Sequence, residues 1–125
     1  MIQVLLVAVG GAVGSVLRYL VGVAGVRLMG PNFPWGTLSV NVVGCFVIGV
    51  FAELISRRFG GSAELRLLLI TGLVGGFTTF SAFALDAITL FERGATASGA
   101  IYMIASVGLS MAAVMAGLAL MRALI

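Results

Sequence analysis

Phe80 and Phe83 stand three residues apart, a spacing that puts both rings on one helical face, and Thr78, Thr79 and Ser81 crowd beside them. Aromatic ring edges carry partial positive charge, so rings presented edge-on can contact a small dehydrated anion without binding it as tightly as a formal cation would. Two phenylalanines packed in a core give the same spacing, and periodicity alone leaves both readings open. Asn41, near Gly36, Thr37, Ser39 and Gly44, offers two donors and one acceptor, suited either to lining a pore or to bonding another helix. Tyr102, Ser106 and Ser110 follow one another at i+4 steps, so their hydroxyls form a stripe along one helix. Such a stripe can replace part of an ion's hydration shell, whereas a single membrane serine more often bonds back to its own preceding turn. Gly75 and Thr78 can turn carbonyl oxygens toward a symmetry axis, where two chains would give four oxygens to one cation; the alternative is a simple kink. Gly10, Gly14 and Arg18 share a face at i, i+4 and i+8, and Arg18 is either a snorkelling anchor or the charge of an anion-collecting vestibule. Asp86, one turn beyond Phe83, repels anions unless paired, protonated or peripheral. No role for it follows from the sequence.

These side chains need helices that cross a bilayer. Of the 125 residues 62% are hydrophobic and 9% charged, and the mean hydropathy is +1.26, which marks an integral membrane protein. At about 20 residues per crossing, four spans use most of the chain. The apolar runs predict spans at about 2–26, 35–56, 65–91 and 96–121, a single all-α membrane domain over residues 1–125. Arg27, Gly30, Pro31, Asn32 and Pro34 end the first span, Arg57 and Arg58 the second, and Glu92, Arg93 and Gly94 the third. Trp35 suits a membrane interface. The first 20 residues lack the positive leading region of a signal peptide and are expected to be retained as part of the first span. The third span carries Gly72, Gly75, Gly76, Thr78, Thr79 and Ser81 at its centre. The glycines there are expected to let the backbone leave helical geometry, breaking the helix at mid-membrane, and the freed polar groups must then face protein, ions or water.

Charge is sparse and scattered. All seven basic residues are arginines, there is no histidine, and their spacing reads as membrane anchoring with no nucleic-acid footprint. Cys45 is the one cysteine, so no intrachain disulfide forms, and small-residue packing is its expected role. With four crossings, one side holds Arg57, Arg58, Arg66 and Arg122, and the other Arg27, Arg93 and the deeper Arg18. So weak a bias permits insertion both ways, and an antiparallel homodimer is expected, its water-filled path at the seam between chains. Catalytic constellations, phosphate loops and metal-ligand spacings are absent, so an enzyme or an ATP-driven pump is not expected. A passive channel, a small proton-coupled exporter and a packing subunit of a larger complex remain. The exporter needs a carboxylate deep in the membrane, and the first span has none.

Three blocks, GGAVGSVLRY at 10–19, WGTLSVNVVG at 35–44 and TGLVGGFTTFSAF at 71–83, resemble the Fluc (CrcB) fluoride channel family. The resemblance implies a dual-topology homodimer with two antiparallel pores that passively export fluoride across a microbial cell membrane, exclude chloride and protect against fluoride toxicity. By motif position it implies that Phe80 and Phe83 are pore phenylalanines and Asn41 a pore asparagine. Ser110 then belongs to a hydroxyl track on the fourth helix, and Arg18 matches the arginine ending the first. Gly75 and Thr78 would be backbone donors to a structural sodium ion at the dimer interface. Together with Ser106, Tyr102, Ser81 and Thr79, these residues make up the expected fluoride path and its supports. Ala82, Ala84 and Val114 stand where relatives often carry hydroxyls, so the track is expected to be shorter here.

Overall fold

The computed structural model describes all 125 residues and contains helices only. Helix α1, Ile2–Met29, runs past the expected end near Val26, so Arg27 occupies its last turn, where a cation meets unpaired carbonyls. Gly30 stops it at φ 83°, a conformation open to glycine at little cost. Helix α2, Trp35–Arg58, likewise extends two residues past its expected end. Near that end Glu53 accepts from Arg57, one turn on, at 2.9 Å and from Arg122 at 2.7 Å, tying α2 to the end of the last helix. That last helix, Thr96–Leu124, is labelled α6 below.

The third crossing covers Ala63–Glu92 in pieces. Helix α3 is Ala63–Leu65, a π-helical stretch follows at Arg66–Val74, and α4 is the single turn Gly75–Phe77. Residues 78–80 are not helical, and α5 then runs over Ser81–Glu92. All four crossings are long and apolar enough to span a membrane.

The glycines were expected to supply the departure from helical geometry, and here the structure differs. Gly75 is right-handed helical at φ −59°, ψ −37°, and the chain turns extended one turn later, at Thr78, with ψ 161°. What the glycines supply is close approach. A Cβ on Gly76 would lie 2.6 Å from the Gly11 carbonyl oxygen, and one on Gly72 3.0 Å from the Gly10 Cα. On the other side of the bundle, a Cβ on Gly49 would stand 3.2 Å from the Gly117 Cα, joining α2 to α6. Between helices in lipid, burial of apolar surface gives little drive, so backbone-to-backbone packing of this kind must hold them. The first two seams press α1 against residues 72–77 and deliver Arg18 there, while Gly44 brings α2 against the Thr78 and Phe77 side chains and so delivers Asn41 to the interruption.

Candidate functional site

Leaving helical geometry at residues 78–80 strips donors from the carbonyls one turn earlier, and side chains from neighbouring helices restore some of them. Asn41, on α2, faces the Thr79 peptide: its Nδ2 donates to the Thr79 carbonyl at 2.9 Å, and the Thr79 N–H donates to its Oδ1 at 2.8 Å. Only one orientation of the carboxamide satisfies both bonds, which fixes the amide assignment. Arg18, on α1, donates from Nε to the Gly76 carbonyl at 3.0 Å. Thr78 uses both its N–H and its hydroxyl on the Val74 carbonyl, at 2.9 and 3.0 Å. The Thr79 hydroxyl accepts from Ala82 N–H at 3.1 Å, doing the work of an N-cap for α5.

Two of the carbonyls left over by these substitutions are those of Gly75 and Thr78. In an unbroken helix Gly75 would accept from Thr79 and Thr78 from Ala82. The first donor has gone to Asn41 and the second to the Thr79 hydroxyl. Gly75 and Thr78 therefore present carbonyl oxygens without those backbone donors, hard ligands of the kind that a small cation accepts.

Beside the interruption lies a groove of about 290 Å³ lined by Asn41, Cys45, Thr78, Thr79, Phe80, Phe83, Ser106, Val107, Ser110 and Met111. Seven of the residues singled out in the sequence meet there on three crossings: Asn41 from α2, Thr78, Thr79, Phe80 and Phe83 from the third, Ser106 and Ser110 from α6. The two phenylalanine centroids are 5.6 Å apart. Their surroundings differ sharply, for Phe83 is 8% exposed and Phe80 78%. Ser106 is buried, and its hydroxyl has no hydrogen-bond partner. A buried hydroxyl left unpaired is costly, so the groove suits an occupant able to bond to it, an anion or a water.

The other expected residues lie elsewhere. Arg18 opens onto a separate cavity of about 700 Å³ with Ser15, Tyr19, Arg27, Thr37 and Thr79 along its wall. Thr79 lines both spaces and so stands between them. Ser81 lines neither, its hydroxyl lying 3.4 Å from that of Thr79. Tyr102 is fully buried outside the groove, packed against Phe33 and Phe83 with centroids 5.5 and 5.2 Å away. Its hydroxyl donates to Asp86 at 3.3 Å. The stripe on α6 is thus divided, with its upper member serving the core and its lower two the groove. The same bond gives Asp86 a partner, which sequence could not supply.

Sequence reasoning missed Cys45, Val107 and Met111 as lining residues. Cys45 follows Asn41 by four positions and shares its helical face, so the signal existed. Val107 and Met111 carried none beyond being apolar.

Residues 5–118 match the family profile described as CrcB-like protein, Camphor Resistance (CrcB). The chain is 79% identical over 124 residues to a protein of Rhizobium leguminosarum bv. trifolii (strain WSM2304) named fluoride-specific ion channel FluC, with 99% of each chain covered. It is 63% identical over 122 residues to the protein of that name from Agrobacterium fabrum (strain C58 / ATCC 33970), with 98% of each covered. Against fluoride-specific ion channel FluC 1 of Nitrobacter hamburgensis (strain DSM 10229 / NCIMB 13809 / X14), identity is 51% over 121 residues, covering 97% of this chain and 96% of the other.

Proposed function

The chain belongs to the CrcB-like family, and from that membership we infer that it is a fluoride-specific ion channel, a multi-pass membrane protein and not an enzyme. We assign fluoride passage to the groove at the interruption of the third crossing. The observation that carries this assignment is the unpartnered, buried Ser106 hydroxyl in a space shared with Asn41, Phe80, Phe83 and Ser110.

Fluoride binds water tightly, so a path for it must replace lost hydration with closely placed donors. The hydroxyls of Ser106 and Ser110 supply two. The Asn41 carboxamide gives one N–H to the Thr79 carbonyl and keeps a second for an anion. Ring edges of Phe80 and Phe83 add weak positive potential without a formal charge, which keeps release fast. The larger cavity beside Arg18 collects anions, and Thr79, common to both spaces, marks the passage between them. Chemical energy is not required, because a membrane potential negative inside drives the anion out.

The functional unit in this reading is an antiparallel homodimer in the cell membrane of a microbe, with the interruption of each third crossing at mid-membrane. A phenylalanine that is 78% exposed beside the groove supports it, since a second chain would cover Phe80 and close the path. The balanced arginine distribution permits two insertion directions. At the two-fold axis the carbonyls of Gly75 and Thr78 from both chains fit a structural sodium ion, which would tie the chains together as a fixed cation and is not transported. Replacing sodium by a large organic cation is expected to weaken dimer association, read by crosslinking yield.

Passive efflux from liposomes tests the channel. The parent should release fluoride rapidly and retain chloride, and absence of fluoride flux from folded protein overturns the assignment.

A further inference from the structure

Arg18 is the charged side chain that reaches the interrupted backbone, and the bond it makes there is to one particular carbonyl. Leaving helical geometry at residues 78–80 removes the ordinary i+4 donors of Gly75, Gly76, Phe77 and Thr78 together. The structure then treats them differently: the Gly76 oxygen receives the Arg18 Nε–H at 3.0 Å, while those of Gly75 and Thr78 have no replacement from their usual donors. Arg18 is brought there by close backbone packing. One and two turns before it on the same face, Gly14 and Gly10 admit the third crossing so closely that a Cβ on either would lie 2.8 Å from a backbone nitrogen, of Phe77 and Leu73 respectively.

We propose that Arg18 is a positioning residue for the channel: by holding the Gly76 carbonyl it decides which carbonyls of the interruption stay free, and its charge in the cavity is the lesser part of its role. The guanidinium suits both tasks, since its planar fork presents Nε–H to one partner and its remaining N–H groups to the cavity. A lysine at the same position carries the same charge on a single ammonium and cannot reproduce that fork. The bond also gives the arginine a fixed place within the span, which a snorkelling anchor would not have.

This inference rests on the channel reading, so its test has one arm that needs no transport. In the parent protein in micelles, with 15N-labelled arginine, the Arg18 Nε–H is expected to exchange with solvent far more slowly than those of exposed arginines. Exchange at the same rate overturns the proposal. The second arm is fluoride efflux from liposomes carrying Arg18→Lys or Arg18→Gln, measured against fluoride concentration. A positioning role lowers maximal flux roughly tenfold or more in both variants and leaves the half-saturating fluoride concentration unchanged. A purely electrostatic role leaves Arg18→Lys like the parent and raises the half-saturating concentration of Arg18→Gln, which overturns the proposal. If the lysine variant does not fold, the exchange measurement decides. A parent that conducts no fluoride strikes the channel assignment, and the exchange result still judges the bond.

Discussion

Asn41 and Thr79 close a two-bond ring across helices, the carboxamide accepting at 2.8 Å from the Thr79 N–H and donating at 2.9 Å to its carbonyl. The ring replaces both bonds that Thr79 would make inside a helix, which is why the chain can leave helical geometry within a membrane span at all. Changing Asn41 to Asp keeps the acceptor and sets a charged oxygen against the Thr79 carbonyl. Losing the donor and adding that repulsion is expected to lower fluoride efflux at least roughly tenfold. Retained efflux in a folded Asn41→Asp variant would show that the ring is not needed.

The two phenylalanines should separate by experiment because their environments differ. Phe80, 78% exposed, has little to lose in the fold of one chain, and isoleucine keeps an apolar surface for a second chain to cover, so Phe80→Ile is expected to leave the melting temperature in detergent near the parent value while fluoride efflux falls. Phe83 is buried against Tyr102 and Phe80. Phe83→Ala removes that packing and is expected to cost about 3 kcal/mol of stability, seen as a clear drop in melting temperature. Equal thermal effects would contradict the division.

Much of this was legible in the sequence, and the exceptions have physical causes. Apolar run length gave four crossings to within three residues at every end, because bilayer thickness sets helix length almost independently of packing. Helix ends moved outward where arginines, first read as stops, proved to occupy last turns, as Arg27 and Arg58 do. The third crossing reads as irregular from its sequence, but Gly75 keeps helical geometry, Gly76 serves close packing and the backbone departs at Thr78. Sequence cannot distinguish a glycine kept for close packing from one kept for backbone freedom; Gly76 belongs to the first kind because Gly11 lies against it. At the groove, Asn41, Phe80, Phe83, Ser106 and Ser110 could be named from spacing and resemblance. That Tyr102 leaves the stripe could not, since its direction is set by Phe33, from a loop, and by Asp86.

The Tyr102 hydroxyl holds Asp86 within a span, 3.3 Å away. Tyr102→Phe keeps the ring packed against Phe33 and Phe83 and removes only the donor, leaving a carboxylate short of one partner at membrane depth. The expected loss is about 1 to 3 kcal/mol of stability, measurable as a lower melting temperature. Replacing Asp86 as well, by Asn, should recover part of it, because the group left without its donor is then uncharged. If the double variant is no more stable than Tyr102→Phe, the bond is not what the tyrosine contributes.

Gly108 and Gly117 lie on the same helix and test whether close packing holds the bundle. A Cβ on Gly117 would meet backbone on α2, 3.0 Å from the Val50 nitrogen and 3.2 Å from the Gly49 Cα, whereas one on Gly108 meets nothing within 4 Å. Backbone cannot swing aside as a side chain does, so Gly117→Ala must force α2 and α6 apart. That would also strain the link between Glu53 and Arg122 further along the same pair. Overpacking of this kind costs about 1 to 3 kcal/mol. Gly108→Ala carries no such penalty within the chain and gains up to about 1 kcal/mol of helix propensity. Melting curves in detergent should therefore move in opposite directions for the two substitutions. A Gly117→Ala variant as stable as the parent would mean that the seam between α2 and α6 has slack that the structure does not show.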